Sequence, residues 1–369
     1  MIKQYYKQAL AQLRQHPLIS IIGIVGTALS IFLIMLVVMM QQVKVAPFSP
    51  ESNRNRFLHV HYMSISHKDW GNGTSNGPMS VQTAREVYKS LKTPEAVTVY
   101  CCMTVSTPVS LPGAPAIGAD VRETDDTFFH VFDFQFTDGK PYDEATFTAG
   151  RPVAVITESI SRALFGSIQS VGKEFLLSHA PYRVVGVVKD VSTLADMAYG
   201  QVWIPFTSTN LSNDTWSDNH MGMMSVTLLA HDREDFDEIR AEAKRRMNEY
   251  NSILADQGYT LIDRNRPYDQ ETQSISFAAN LEPDLKAARR ERVIIFIILL
   301  LVPAINLSSM TQSRLRQRVA EIGVRRAFGS TCIEMVGQIV MENLVITLLA
   351  GAIGLLISIL SVSYTHLTL

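Results

Sequence analysis

The chain has 369 residues, 47% hydrophobic and 18% charged, with a formal net charge of −2. A soluble domain usually carries about 25% charge, and here the deficit lies near both ends while the middle has ordinary soluble composition. Near-neutral charge excludes the broad basic face of a nucleic-acid binder. Three cysteines, two of them adjacent (Cys101 and Cys102) and the third at Cys332, give no disulfide framework.

Residues 1–17 place Ile2, Tyr5, Ala9 and Leu13 near one helical face, with Lys3, Lys7 and Arg14 on others. This pattern predicts an amphipathic helix on the inner membrane surface, or the frayed start of the helix that follows. Leu18 to Met40 then runs 23 residues without a charge. A bilayer core of about 30 Å needs about 20 apolar residues, so residues 18–41 are expected to form a first span. A signal peptide is excluded by length, since its apolar core is about 7–15 residues. Within the span, Gly23 and Thr27 lie four apart, as do Gly26 and Ser30. Small residues at that spacing let helices approach closely in lipid, although glycine is common in membrane helices generally.

Residues 42–291 alternate strand and helix signals, which predicts a mixed α+β domain. Phe57 to Met63 alternates with period two. Ser80 can cap a helix running to Leu91. Apolar runs at 97–100, 153–156, 182–188 and 224–229 are strand signals. Ser159 to Phe165 reads as a short helix. Asp232 to Ala255 reads as a longer one, with Phe236, Ile239, Ala243, Met247 and Tyr250 on one face.

Residues 292–311 form a second expected span, with Pro303 and Asn306 in its latter half, where neighbouring helices can satisfy the freed backbone groups. A third is expected over 333–362, where Ala350, Gly354 and Ser358 repeat the small-residue spacing. Between them, residues 312–332 carry Arg314, Arg316, Arg318, Arg325 and Arg326 against Glu321 alone. Together with Lys3, Lys7 and Arg14 these cations place both segments in the cytoplasm and residues 42–291 outside it; Arg289, Arg290 and Arg292 oppose this weakly. Helix formers run from Arg314 through Phe328, Gly329 is a C-cap glycine, and Thr331 to Glu334 is a capping box. The product is a basic helix, a sharp turn and a third span. It offers either a platform for a cytoplasmic partner or a basic loop that enforces topology.

Catalytic and cofactor motifs are missing. Gly166 to Lys173 lacks the spacing and the following Ser or Thr of a phosphate loop. His59 and His61 share a strand face without further ligands at a supporting spacing, which reads as exposed strand histidines, not a metal site. No serine has a nucleophile-elbow context.

Arg318-Val-Ala-Glu-Ile-Gly-Val-Arg-Arg-Ala-Phe-Gly329, followed by Gln338 and Glu342, resembles the cytoplasmic coupling segment of MacB/FtsX-type ABC transporter permeases. Asp126-Thr-Phe-Phe-His-Val-Phe-Asp-Phe134, Gly139-Lys140, Val153-Ala-Val-Ile156, Ala163-Leu-Phe-Gly166, Val171-Gly-Lys173, Tyr182-Arg-Val-Val-Gly-Val-Val188 and Trp203-Ile-Pro205 resemble that family's periplasmic core in order and spacing. The resemblance implies a multi-pass protein of the bacterial inner membrane: α-helical transmembrane spans with a large inserted α+β extracytoplasmic domain. It implies no enzyme activity and no cofactor in this chain, with ATP bound by a separate ABC-type ATPase subunit. Other implied partners are a second permease in a homo- or heterodimer, the lipid bilayer and, optionally, a periplasmic adaptor protein, with no nucleic acid. Expected coupling residues are Arg318, Glu321, Ile322, Arg325, Arg326, Ala327, Phe328 and Gly329. Expected packing residues are Gly23, Gly26, Ser30 and Gly354. Export of peptides or antibiotics is the first expected task. Lipoprotein release, or a membrane-anchored extracytoplasmic sensor or binding protein, is the alternative. The family has four spans. Here residues 363–369 are unlike it and are expected to be a non-native tail, with the fourth span missing.

The topology is open to labelling. In a background without the native cysteines, a cysteine at Asn213 should react with an impermeant maleimide added to intact spheroplasts. Protection there, with labelling at Arg316, would reverse the orientation.

Overall fold

The computed structural model describes residues 17–368. The amphipathic helix expected over 1–17 therefore lies, except for Pro17, outside the described residues. The chain divides into two compact units, one of helices from both ends of the sequence and one spanning Val43–Asp284.

The helical unit contains α1 (Pro17–Val45). Three of its helices are long and apolar enough to cross a membrane, with spanning segments Ile21–Val45, Leu285–Ser313 and Cys332–Ser361. The second of these helices begins at Leu285, seven residues before the expected boundary at 292, and runs to Gln317. Lys286 to Arg292 are strong helix formers and extend the apolar helix by two turns. Pro303 sits inside this helix without ending it. The third helix runs through Cys332–Thr368, so the tail expected at 363–369 begins inside it.

In the Val43–Asp284 unit, strand pairings close six strands into a ring: β5 (Val105–Ser110), β6 (Ile117–Thr124), β8 (Val153–Thr157), β9 (Glu174–Leu177), β10 (Ala180–Val188) and β11 (Val202–Pro205). β7 (Phe136–Gly139) adds to the edge of β10. From β6 the sheet continues through β4 (Ala96–Cys101), β12 (Met224–Leu229), β1 (Phe57–Val60) and β14 (Tyr268–Asp269). A separate small sheet orders β13 (Tyr259–Ile262), β2 (Met63–His67) and β3 (Thr74–Gly77). The period-two run expected as one strand over 57–63 is thus two strands in two sheets, parted at His61 and Tyr62.

Each ring strand turns alternate side chains inward. Val109, Val121, Ile156, Phe175, Val184 and Ile204 meet in one core cluster. Outside the ring a second cluster gathers Phe128, Phe132, Phe134 and Trp203, with Trp203 and Phe134 edge-to-face at 5.0 Å. α2 (Glu158–Phe165) follows β8, capped by the Thr157 side chain. α3 (Phe236–Leu254) buries Phe236, Ile239, Ala243, Met247 and Tyr250, the face its periodicity predicts, in a third cluster. The helix expected from Ser80 starts with Ser80 as its cap, but Ala84–Lys89 is wound as a π-helix.

Trp203 is fully buried and donates from Nε1 to the carbonyl of Ala198. Trp203→Ala should destabilise this unit by about 3–5 kcal/mol, read from urea unfolding followed by near-UV circular dichroism. A loss below about 1 kcal/mol would show that the aromatic cluster does not carry the core.

Candidate functional site

The basic segment is not one helix. The helix that begins at Leu285, α4 (Leu285–Gln317), ends before Arg318, whose backbone leaves helical geometry, and α5 (Val319–Ala327) follows. No residue type at the break explains it. Phe328 closes α5, and Gly329 takes φ +93°, a conformation that strains any residue with a Cβ. Thr331 N–H then donates to Glu334 Oε2 at 3.0 Å and Glu334 N–H to Thr331 Oγ1 at 3.3 Å. This capping box starts α6 (Cys332–Thr368).

The expected coupling residues divide into two sets. Glu321 bonds Arg325 Nη2 at 2.6 Å and lies 3.4 Å from Arg318 Nε. Arg325 Nη1 donates to Gln338 Oε1 of α6 at 2.7 Å. Ile322, Leu315 and Met335 line a gap of about 30 Å³ beside this network. Arg318, Glu321, Ile322 and Arg325 therefore fix the corner itself. Arg326, Ala327, Phe328 and Gly329 face outward, with Phe328 86% exposed. Val319, Val324 and Ile333 extend this exposed apolar surface.

The expected packing residues sit where α1, α4 and α6 approach. A Cβ on Gly354 would lie 2.7 Å from the backbone oxygen of Ala28. One on Gly26 would lie 2.7 Å from Asn306 Nδ2, and one on Gly23 would overlap the flexible Met310 side chain. Asn306 Nδ2 donates to Thr27 Oγ1 at 3.2 Å. Ser30 is buried and donates to the Gly26 carbonyl of its own helix at 2.8 Å. Ala350, Gly354 and Ser358 are all buried.

Buried titratable groups in the Val43–Asp284 unit find partners that the sequence does not reveal. Glu51 and Arg54 form a buried pair at 2.6 Å. Arg54 also donates to the carbonyls of Val43, Ala46 and Leu194, and Glu51 accepts from the amides of Met197 and Ala198. Burial raises the Glu51 carboxyl against the pull of Arg54. Asp125, buried beneath Lys89 at 2.6 Å, is likewise raised by burial, with Lys89 opposing. His59, expected to be exposed, is buried between Thr227 Oγ1 and Gln270 Oε1. Burial lowers it to about 4, so it is neutral at pH 7. Among the described residues no cluster of His, Cys, Asp or Glu could hold a metal.

The chain thus combines three apolar helices long enough to cross a membrane, a basic corner between the last two, and a large α+β unit between the first two in sequence. Residues 18–246 match the model of the MacB-like periplasmic core domain, and residues 293–368 match that of the FtsX-like permease C-terminal region. The chain belongs to the MacB/FtsX-type family of ABC transporter permeases, and it is a membrane protein with a large extracytoplasmic α+β domain.

Among curated relatives, the uncharacterized ABC transporter permease YknZ of Bacillus subtilis (strain 168) is 21% identical over 244 residues, covering 64% of this chain and 55% of YknZ. The macrolide export ATP-binding/permease protein MacB of Burkholderia cenocepacia (strain HI2424) is 24% identical over 244 residues, 66% of this chain and 33% of that protein. The chain thus spans about half or less of these relatives. The solved periplasmic region of MacB from Actinobacillus actinomycetemcomitans covers 55% of this chain and 88% of its own, with 19% identity and a TM-score of 0.38.

The packing glycines make a contrast. Gly354→Ala should destabilise the helical unit by about 1–3 kcal/mol, because a backbone oxygen cannot move aside. Gly323→Ala, with nothing within 4 Å, should be neutral or stabilising. SDS titration in mixed micelles compares the two, and equal midpoints would remove Gly354 from the helix contact.

Proposed function

We propose that the chain is the permease subunit of an ABC transporter in a bacterial inner membrane, crossing it several times with its large domain in the periplasm. A separate cytoplasmic ATPase binds and hydrolyses ATP, and this chain passes the resulting motion to the periplasmic domain. A second permease completes the assembly. Export of peptides or antibiotics is the task that accords best with relatives named as macrolide exporters.

One observation carries this reading: the exposed tip of Arg326, Ala327 and Phe328 on a corner that cannot bend freely. Allosteric transmission needs an element with discrete arrangements and differential contacts. Gly329 and the capping box set the turn, and Arg325 locks α5 to α6. A force applied at Phe328 therefore moves α6 as a body. A loop that only enforced topology would need the charges, but neither the exposed phenylalanine nor the lock.

Arg326 is the position at which to reverse charge, since Arg325 is engaged within the corner. Arg326→Glu combined with Phe328→Ser should abolish stimulation of the partner ATPase in lipid while leaving the thermal midpoint unchanged. Arg325→Glu should instead lower the midpoint by breaking the link to Gln338. Full stimulation by the double variant, with the ATPase still bound, would reduce the segment to a topology signal.

A further inference from the structure

The six-stranded ring is open at one end. There Leu177, Tyr182 and Ile204, which belong to the ring core, also line a cavity of about 350 Å³. Val105, Leu177, Tyr182, Ile204 and Leu211 supply apolar walls, and Glu123 is the one carboxyl among the lining residues. Ala119 and Val121 precede Glu123 on the same face of β6 and are buried in the ring core. Alternation therefore carries the carboxyl inward, where an aliphatic residue would have completed the pattern. Oε2 accepts from Thr209 Oγ1 at 2.5 Å. Among the described residues no other hydrogen bond and no Lys or Arg at ion-pair distance reaches Glu123. The neighbouring Arg122 points to the opposite face, where the carbonyls of Cys101, Asp196 and Tyr199 hold it.

A carboxylate in an apolar wall is costly unless something satisfies it. The fully buried carboxylates described above each have a cation at hydrogen-bond distance, Arg54 for Glu51 and Lys89 for Asp125, whereas Glu123 is half-buried. Glu123 has a hydroxyl only. Sites for small molecules favour barrel mouths, with mostly apolar linings and a few placed polar groups. We propose that the open end of the ring is a binding site for an amphipathic amine, its apolar body between β5 and β10 and its ammonium paired with Glu123. The site lies wholly within the Val43–Asp284 unit and does not depend on the transport reading.

The electrostatics agree with this assignment. Burial raises Glu123 to about 7, with the Thr209 hydroxyl opposing. A bound ammonium restores the ionised form. An amine of high pKa stays cationic throughout, so its affinity should be greatest where Glu123 is already ionised. Affinity should fall as the pH drops below about 7, by at most about tenfold per pH unit and no further than the affinity of an uncharged analogue, and level off above it. Other titratable groups near Glu123 are Cys101 on β4, Tyr182 on β10 and Tyr142 outside the ring; the two tyrosines are raised by burial and stay neutral in this range. β5 and β11 contribute none, and His179 in the turn before β10 is not among the lining residues.

The test uses the full chain in lipid nanodiscs and fluorine-labelled phenylbutylamine, with the matching phenylbutanol and protein-free nanodiscs as controls. Ligand fluorine NMR should show saturable amine binding above the lipid background, with the alcohol at least about tenfold weaker. Glu123→Gln should abolish that preference and the pH dependence, leaving amine and alcohol equal. Ile204→Trp, which fills the cavity, should remove both. The pH profile needs no variant, so it decides the matter even if a substitution disturbs folding. No saturable binding, equal binding of the alcohol, a flat profile from about pH 8 to about pH 5, or an unchanged preference in Glu123→Gln would each overturn the site.

Discussion

Strand β6 is the constraint on which the extracytoplasmic unit depends. Its eight residues pair with β5, β4 and β11, so it closes the ring and also begins the sheet beyond it. Alternation along one strand therefore feeds two cores. Ala119 and Val121 enter the ring, while Arg122 enters the aromatic side. An arginine buried there without a carboxylate at hydrogen-bond distance is costly. Its guanidinium is accommodated by three backbone carbonyls from β4 and the segment before β11, and by the face of Tyr100 at 5.7 Å. Those bonds fix the loop that delivers Trp203 and Ile204 to opposite faces of β11, so one side chain sets the register of both cores.

What could be read from the sequence follows from where each element's partners lie. β8, β10 and β12 are legible as apolar runs because they are buried along most of their length. β3 is not, because Thr74 to Gly77 is polar and becomes a strand only by pairing with β2. The division at His61 and Tyr62 is invisible because the period-two pattern continues through a bend between two sheets. His59 is misjudged for a related reason: its partners Thr227 and Gln270 lie 168 and 211 residues away. A local window sees a polar residue on a strand and assigns it to solvent. Glu123 escapes notice in the same way, since one carboxyl breaking an alternation gives no motif.

The basic corner shows the same division at shorter range. Glu321 and Arg325 are legible as an i, i+4 pair on one helix. The bond from Arg325 to Gln338 crosses the turn, and only the fold reveals it. Without that bond, five arginines look like one surface facing a partner. With it, Arg318 and Arg325 become internal fasteners, while Arg316 and Arg326 stay exposed, the latter beside the apolar tip. The charge density that marks the segment in the sequence thus serves two purposes, and only one of them concerns a partner.

Apolar length identifies the three long helices but does not align them, since lipid tails are as apolar as leucine and burial gives little preference between faces. Alignment comes from the few polar side chains and from the glycines beside them. Asn306 reaches Thr27 of α1, and Thr311 donates to Asn343 of α6 at 3.0 Å. Each would be unsatisfied after a shift of one helical turn, which is expensive where no water can replace the partner. Gly26 is small where Asn306 must come close, and Gly354 is small where α6 meets the backbone of α1. The glycines permit the approach and the polar pairs choose its register. A sequence window records the glycines, whose spacing is local, and misses the pairs, whose spacing is not.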